Sequence, residues 1–224
     1  MTRAEASARI KAILQGYMAA SDSAAFDLLP RKLTAGKLYE AYALGLIARE
    51  LTRQEGVDLR LVNSSYLPLK TSPGPINRAY PHVEVRRSGQ RIAELWTDIE
   101  FLSLSYSMRV PRGTPESGEY HELDIAIVDP GLSGRPAHDS VWLGAECKNT
   151  GYEKALLKEV LGIRRELSLL RQPRATRFRC WPRTTVPAEP PSCLLVYATD
   201  PAVSCYSRPG ETFGIDFFHE PLAL

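Results

Sequence analysis

The chain has 224 residues, of which 44% are hydrophobic and 24% are charged, and it is long enough to bury a substantial core. Its formal net charge is only +2, so it is not a strongly basic protein, and any nucleic-acid surface must be a local patch. None of the four cysteines forms a C-x-x-C pair, which argues against zinc-ribbon and iron–sulfur sites. We expect one domain with extensions, or at most two small domains.

The N-terminal segment carries charges throughout and lacks an uninterrupted apolar core, so the sequence predicts no signal peptide. No segment approaches the roughly 18 apolar residues that a membrane-spanning helix needs. Scattered cysteines fit a reducing compartment. The expected location is therefore the cytoplasm, with no membrane partner.

Apolar residues at helical spacing predict a helix over residues 4–20 and a second helix over 34–55. Gly56 follows the second helix, where a C-terminal cap belongs. Residues 57–81 contain four prolines and are interpreted as a loop-rich insertion. A strand over 83–87, a turn and one long strand over 91–110 are predicted to form a hairpin.

Two further strands are predicted over 121–129 and 140–149, and an amphipathic helix follows them. The apolar positions of this helix are spaced by three and four residues: Leu156, Val160, Ile163, Leu167 and Leu170. The Pro- and Arg-rich stretch 171–191 is interpreted as a loop, before a short apolar strand over 193–200 and an aromatic-rich tail. This order predicts a mixed α/β domain with helices packed against a central sheet.

The two strands over 121–129 and 140–149 carry the residues of chemical interest. Alternation along a strand places Asp124 on one face with Ala126, and Glu146 on one face with Lys148 and Gly144. If the strands pair, two carboxylates and a lysine converge on one surface of the sheet. The small residues Ala126 and Gly144 are expected to leave room there for an ion and a substrate backbone.

These residue types suit metal-dependent phosphodiester chemistry. Mg²⁺ prefers oxygen ligands and is usually held by one or two carboxylates, water and substrate phosphate. A bound ion lowers the pKa of its water and neutralises charge that develops on the phosphate. A neighbouring lysine can orient or deprotonate the attacking water, or stabilise the developing charge, and the sequence leaves these roles open.

The segments HELDIAIVD and LGAECKN resemble the Asp…Glu-x-Lys core of the PD-(D/E)XK nuclease superfamily, which includes restriction endonucleases and Holliday-junction resolvases. The resemblance implies a restriction endonuclease-like core with the order α-β-β-β-α-β. It further implies that Asp124 and Glu146 ligate a metal ion, Mg²⁺ or Mn²⁺, and that Lys148 is catalytic. The backbone carbonyl of Cys147 is implied as another ligand.

Many members of this superfamily add a glutamate from the first core helix, and Glu40 fits that position. Glu40 shares a helical face with Ala43 and Ile47, so it can point toward the sheet. The resemblance therefore implies the metal set Glu40, Asp124, Glu146 and Cys147.

The resemblance also implies a domain organisation. Residues 1–32 form an N-terminal helical extension, and residues 33–200 form the nuclease core. Insertions fall at 57–81 and 171–191, and 201–224 is a C-terminal tail.

Three acidic residues of the long strand, Glu94, Asp98 and Glu100, share one parity. Either they lie on an exposed strand face, or one of them adds a metal ligand. We favour the exposed face.

Several basic and polar residues are candidate nucleic-acid contacts: Asn149, Lys154, Arg171, Arg174, Arg177 and Arg179. Phe178 and Trp181 interleave with the arginines, so this stretch is interpreted either as a clamp whose aromatic rings stack on bases or as a solvated loop whose rings anchor it to the core. Arg164 is expected on the solvent face of its helix.

The expected function is that of a metal-dependent endonuclease acting on DNA, and family analogy suggests restriction or phage defence. The alternatives are a catalytically silent nuclease-like subunit that binds nucleic acid or scaffolds a complex, and a nuclease that cleaves RNA. A homo-oligomer or a partner subunit is expected in either case.

Overall fold

The computed structural model describes residues 3–20, 34–63, 69–70, 72–110 and 113–222. Residues 1–2 and 21–32 of the predicted N-terminal extension, residue 33 of the predicted core and part of the predicted 57–81 insertion therefore lie outside the described residues. Within the described residues, no helix is long and apolar enough to cross a membrane.

The described residues contain five α-helices and ten strands. The helices are α1 (Arg3–Tyr17), α2 (Ala35–Glu50), α3 (Leu104–Met108), α4 (Lys154–Leu167) and α5 (Ser207–Phe213). The strands are β1 (Met18–Ala20), β2 (Asp58–Val62), β3 (His82–Arg87), β4 (Gln90–Leu102), β5 (Tyr120–Val128), β6 (Val141–Lys148), β7 (Leu169–Ala175), β8 (Thr185–Glu189), β9 (Cys193–Ala198) and β10 (Ile215–His219).

Eight of the strands form one mixed sheet in the order β1-β2-β3-β4-β5-β6-β9-β10. The run from β2 to β6 is antiparallel, whereas β1 joins β2, β9 joins β6 and β10 joins β9 in parallel. The remaining strands, β7 and β8, form a separate antiparallel hairpin. The predicted mixed α/β class is confirmed.

Helices cover both faces of the sheet. On the first, which we call the α2 face, Leu44 and Ile47 of α2 belong to one core cluster with Leu95 of β4 and Ile125 of β5. On the second, the α4 face, Val160 and Ile163 belong to another cluster with further sheet residues, Ile99, Leu123, Leu194 and Val196 among them. Helix α1 packs on α2, so α2 is buried along most of its length.

The first turn of α2 is fixed by its cap. The Thr34 side chain accepts the backbone N–H of Lys37, which supplies one partner that the helix start lacks. The helix continues into a π-helical turn over Leu51–Glu55 and ends at Gly56, which has a φ of 62°. The predicted C-terminal cap at Gly56 is confirmed.

Four element predictions are wrong. Residues 57–81 contain β2, whose alternation of exposed and buried residues is hidden by the prolines after it. The long strand predicted over 91–110 stops at Leu102, because Ser103 caps α3 by accepting the N–H of Tyr106. The predicted loop 171–191 contains most of the β7–β8 hairpin, whose polar strand β7 has no apolar pattern. Leu170 lies outside α4 and is 54% exposed.

The C-terminal tail also contains a strand that the sequence analysis missed. Residues 201–224 include β10, which pairs in parallel with β9 from Ile215 to His219. Parallel pairing with a distant strand leaves no local turn signal in the sequence.

Candidate metal-binding site

The main-chain pairing of β5 with β6 ends at Ile125 and Ala145. At the next position, the Oδ2 atom of Asp124 accepts the backbone N–H of Cys147 at 2.7 Å. The side chain of Asp124 thus makes a hydrogen bond between β5 and β6 beyond the last main-chain pair of the two strands. This bond holds the Asp124 carboxylate beside the end of the β5–β6 pairing.

The side-chain alternation of β4 and β5 changes face beside Asp98 and Asp124. Leu95 and Ile125 lie on the α2 face, whereas Ile99 and Leu123 lie on the α4 face. Regular strands would keep residues separated by two or four positions on one face. Asp98 has a φ of 50°, a left-handed conformation that is uncommon for a residue other than glycine. The register pairs Thr97 with Ile125 and Ile99 with Leu123, so the two aspartates lie opposite each other.

Carboxylate oxygens of Glu40, Asp98 and Asp124 lie within 4.8 Å of one another, and we call these three residues the acidic cluster. Asp98 is only 4% exposed, so the interpretation of Asp98 as part of an exposed strand face is wrong. Glu94 is fully buried as well, in an ion pair with Arg78. The strand-parity argument failed because it assumed regular alternation through Asp98 and Asp124.

Lys37 is a further member of the site that the sequence analysis missed. Its ammonium group lies 2.7 Å from Glu40 Oε2 and also donates to Asp98 Oδ1. Lys37 is one turn before Glu40 on α2, a spacing that brings the two side chains together. The acidic cluster therefore contains a lysine that partly neutralises it.

Glu146 and Lys148 lie beside this cluster rather than within it. Lys148 Nζ is 2.9 Å from Glu146 Oε2 and 2.9 Å from Glu159 Oε1 of α4. The expectation that Gly144 leaves room for an ion is wrong. A Cβ atom there would lie 2.8 Å from Leu123 Cδ2, so the glycine makes space for core packing.

The sequence analysis also missed Glu159. It lies three residues after Leu156 and four before Ile163, at the edge of the apolar face of α4, where its side chain is 49% exposed. That spacing is a signal from which its proximity to Lys148 could have been inferred.

Burial and mutual repulsion shift the carboxyl groups toward their neutral forms. Burial, reinforced by the charge of Asp124, raises the pKa of Glu146 to about 8. Burial likewise raises the pKa of Glu40 to about 7, and raises the pKa values of Asp98 and Asp124. This excess of buried acid is the environment that a divalent cation would stabilise.

The protonation state of Lys148 is set by the neighbouring carboxylates. Burial alone would lower its pKa, but the carboxylates of Glu146 and Glu159 outweigh burial and raise it above the ordinary value. Lys148 is therefore a cation in the metal-free protein.

The donor set fits a hard divalent ion. Asp98 Oδ2 and Glu146 Oε1 are buried and have no hydrogen-bond partner among the described residues. Oxygen ligands of this kind suit Mg²⁺ or Mn²⁺. Burial raises the pKa of the Cys147 thiol well above its ordinary value, so Cys147 does not supply a thiolate for a softer metal. The implied role of its backbone carbonyl stays a prediction.

Two of the candidate nucleic-acid contacts follow Lys148 closely in the chain. Asn149 follows it directly at the end of β6, and the exposed Lys154 begins α4. Their contact with nucleic acid stays a prediction.

The Arg-rich stretch lies elsewhere. Glu55 accepts the backbone N–H groups of Arg179, Cys180 and Trp181. Glu55 is 15 residues beyond Glu40 along α2 and its π-helical turn, which corresponds to roughly 20 Å. The arginines near residue 179 are therefore at the opposite end of α2 from the acidic cluster, and their contact with nucleic acid stays a prediction.

The aromatic rings of this stretch anchor it to the core. Phe178 and Trp181 are buried, so the interpretation that they stack on bases is wrong. Arg177 lies over the ring of Trp142 and pairs with Asp129. Arg171 and Arg174 are exposed on β7, where Arg174 pairs with Glu189.

The expectation that Arg164 lies on the solvent face of α4 is wrong. It is 3% exposed, and its guanidinium donates to the Ser192 carbonyl and to the hydroxyls of Ser168 and Ser192. These bonds join the end of α4 to the segment before β9, so Arg164 has a structural role.

No protein-family model matches the chain, and searches of curated proteins and of solved structures find no match. The candidate site therefore rests on the geometry of this chain alone. The PD-(D/E)XK assignment stays a resemblance carried by Asp124, Glu146 and Lys148.

Proposed function

We propose that the protein is a metal-dependent nuclease with a restriction endonuclease-like core. In this proposal Glu40, Asp98 and Asp124 hold Mg²⁺ or Mn²⁺, with Glu146 and Lys148 completing the site. The order α2, β4, β5, β6, α4, β9 supports the core assignment, because it follows the α-β-β-β-α-β order of the superfamily once β2, β3, α3, β7 and β8 are treated as additions to the core. DNA is the proposed substrate, and restriction or phage defence is the proposed context.

The observation that carries the proposal is a pair of buried carboxylate oxygens without a partner. Asp98 Oδ2 and Glu146 Oε1 belong to residues that are 4% and 3% exposed, and neither has a hydrogen bond within the described part of the chain. Leaving a buried polar atom unsatisfied costs about 1–3 kcal/mol, and more for a charged group. A cation in the acidic cluster would remove this cost at Asp98 Oδ2, and its charge would stabilise the neighbouring Glu146 carboxylate.

The residues around the cluster have separable roles in the proposal. When bound, the ion supplies a more acidic water and neutralises charge on the phosphate. Lys148 is a cation and is therefore suited to donate hydrogen bonds to the attacking water or to a phosphate oxygen, rather than to remove a proton. Glu146 and Glu159 hold its ammonium group in place from two sides.

Lys37 supports a second candidate, a catalytically silent protein that binds nucleic acid. Its ammonium already pairs with Glu40 and contacts Asp98. A metal-free protein could keep its acidic cluster neutralised in this way without any catalytic need. The two candidates differ in whether a divalent ion replaces Lys37.

Cleavage assays on supercoiled plasmid, single-stranded DNA and RNA, with Mg²⁺ or Mn²⁺, test the proposal. We expect cleavage by the wild-type protein and loss of cleavage in Asp124→Asn and Lys148→Met. Glu122→Gln on the same strand and Lys158→Met on α4 are matched controls at exposed positions. Cleavage that persists in both site variants would contradict the site, and binding without cleavage would favour the silent protein. Cleavage of RNA alone would change the proposed substrate.

A further inference from the structure

A cleft of about 530 Å³ opens beside the acidic cluster, between the loop around residues 72–81 and strand β4. Thr97, which lines the cleft, directly precedes Asp98 of the cluster. Lys70 also lines the cleft, and its Nζ is 3.4 Å from the backbone carbonyl of Asp98. Lys70 therefore lies where the cleft meets the cluster.

The cleft offers an aromatic surface and a cation. Tyr80 is 50% exposed and is the only aromatic residue among the exposed large hydrophobic residues in the described part of the chain. Lys70 Nζ lies 5.6 Å from the centre of its ring, within the range of a cation–π contact. The other walls are largely apolar and include Leu69, Pro73, Pro75 and Trp96. An exposed ring next to a cation is the arrangement on which single-stranded nucleic acids stack their bases.

The described part of the wall is held by main-chain bonds. Gly74 donates to the carbonyl of Asp98 and accepts the N–H of Glu100. Ile76 and Gly134 exchange two hydrogen bonds, and Tyr80 donates its backbone N–H to Asn77. A preorganised wall loses little conformational entropy when a ligand binds.

We infer that this cleft takes one unpaired base of the strand whose phosphodiester lies at the acidic cluster. The inference rests on the proposed function. A pocket of this volume holds one small-molecule-sized group, whereas a base within a stacked duplex cannot enter it. Thr97 and Lys70 connect the cleft to Asp98, so a phosphate at the acidic cluster places the base of the same nucleotide at the mouth of the cleft. The substrate class is thus nucleic acid with an unpaired nucleotide at the cut.

Binding of three DNA probes tests this inference without relying on turnover. The probes are a 12-nucleotide single strand, the fully paired duplex and the same duplex with one mismatch, each with 2-aminopurine at the same position. Fluorescence anisotropy with Ca²⁺ gives the affinities, and 2-aminopurine emission reports stacking on Tyr80. We expect roughly tenfold tighter binding of the single strand and the mismatched duplex than of the paired duplex.

Variants at the cleft separate stacking from folding. Tyr80→Ala is expected to lose the preference for unpaired bases by roughly tenfold, and Tyr80→Phe to keep it, since the ring remains. Lys70→Met is expected to lower the affinity of the protein for all three probes. Leu170→Ala, at a similarly exposed apolar residue on β7, is the control and should behave as wild type.

The outcomes distinguish this inference from the proposed function. If wild type cleaves and Asp124→Asn does not, but Tyr80→Ala binds all three probes as wild type does, the base-binding cleft is wrong and the nuclease stands. If no protein cleaves any substrate, the nuclease is wrong, and the binding data still decide the cleft. A preference for unpaired DNA that depends on Tyr80 supports the cleft, and equal binding of all probes overturns it.

Discussion

Asp124 accepts the backbone N–H of Cys147 at 2.7 Å, at the position where the pairing of β5 with β6 ends. This bond fixes a carboxylate between the strands and next to Glu40 and Asp98. Asp124 therefore has a structural role in addition to the metal-binding role that we propose for it. Substitutions at this position therefore have to separate the two roles.

Asp124→Asn and Asp124→Ala are expected to differ in stability but not in activity. The asparagine keeps an oxygen that can accept the N–H of Cys147, whereas alanine leaves that donor without its partner, at about 1–3 kcal/mol. Thermal unfolding should show a lower Tm for the alanine variant, and both variants should lose metal-dependent cleavage. Equal Tm values would show that the bond is not important to stability.

The metal-free protein should lose stability as the pH rises from about 5 to 8.5. The folded-state pKa values of Glu40 and Glu146, about 7 and about 8, lie above the ordinary value of 4.5, so the folded protein holds protons that the unfolded chain releases. The stabilisation is complete below pH 4.5 and is lost as the pH passes through 7 and 8. Each kcal/mol lost should lower Tm by roughly 2–4 °C.

Glu146→Gln provides the control for this pH dependence. Measured in EDTA, the variant should show a smaller fall in Tm between pH 6 and 8.5 than wild type, because glutamine does not titrate. Mg²⁺ should raise the Tm of wild type more at pH 8.5 than at pH 6, since metal ligands must be deprotonated. Identical pH profiles for variant and wild type would contradict the shifted pKa of Glu146.

Lys37→Met should increase affinity for the metal. Removing the ammonium that pairs with Glu40 and Asp98 leaves their charges available to an ion, and we expect roughly tenfold tighter binding of Mn²⁺ by calorimetry. The metal-free variant should also unfold at a lower temperature. Lys158→Met is the matched control at an exposed lysine. Weaker binding in Lys37→Met would show that Lys37 helps to hold the site open for the metal.

Lys148→Met should lower kcat while the protein keeps its metal. Loss of a positioned donor to the transition state typically costs roughly 10²–10³-fold. Calorimetry should give a Mn²⁺ affinity for the variant within a few fold of wild type. Single-turnover kinetics should show that the cleavage step itself is slower in the variant. A variant that loses metal binding and activity together would indicate a structural role for the Lys148–Glu146 pair.

The Arg-rich stretch should contribute to folding rather than to nucleic-acid binding. Trp181→Ala should destabilise by about 3–5 kcal/mol, because the ring is buried. Arg177→Ala and Arg179→Ala should leave the salt dependence of DNA binding unchanged, whereas Lys154→Ala should reduce its slope by about 1. A weaker salt dependence of DNA binding in the arginine variants would support the interpretation of this stretch as a nucleic-acid clamp.

The sequence predicted strands β5 and β6, helix α4 and the mixed α/β class because each rests on local alternation or helical spacing. It could not predict that Asp98 turns toward Asp124, since that depends on a left-handed residue within a strand. The place of Trp181 was equally hidden, because it is fixed by hydrogen bonds to Glu55, 126 positions earlier. Long-range contacts of this kind leave no periodic signal in the chain.

A crystal structure of the protein soaked in Mn²⁺ tests the central claim most directly. Anomalous scattering would locate the ion without reference to activity. We predict one peak at about 2.1 Å from carboxylate oxygens of Glu40, Asp98 and Asp124, with the ammonium of Lys37 displaced. Absence of a peak at this position, with Lys37 still paired to Glu40 and Asp98 at saturating Mn²⁺, would contradict the account.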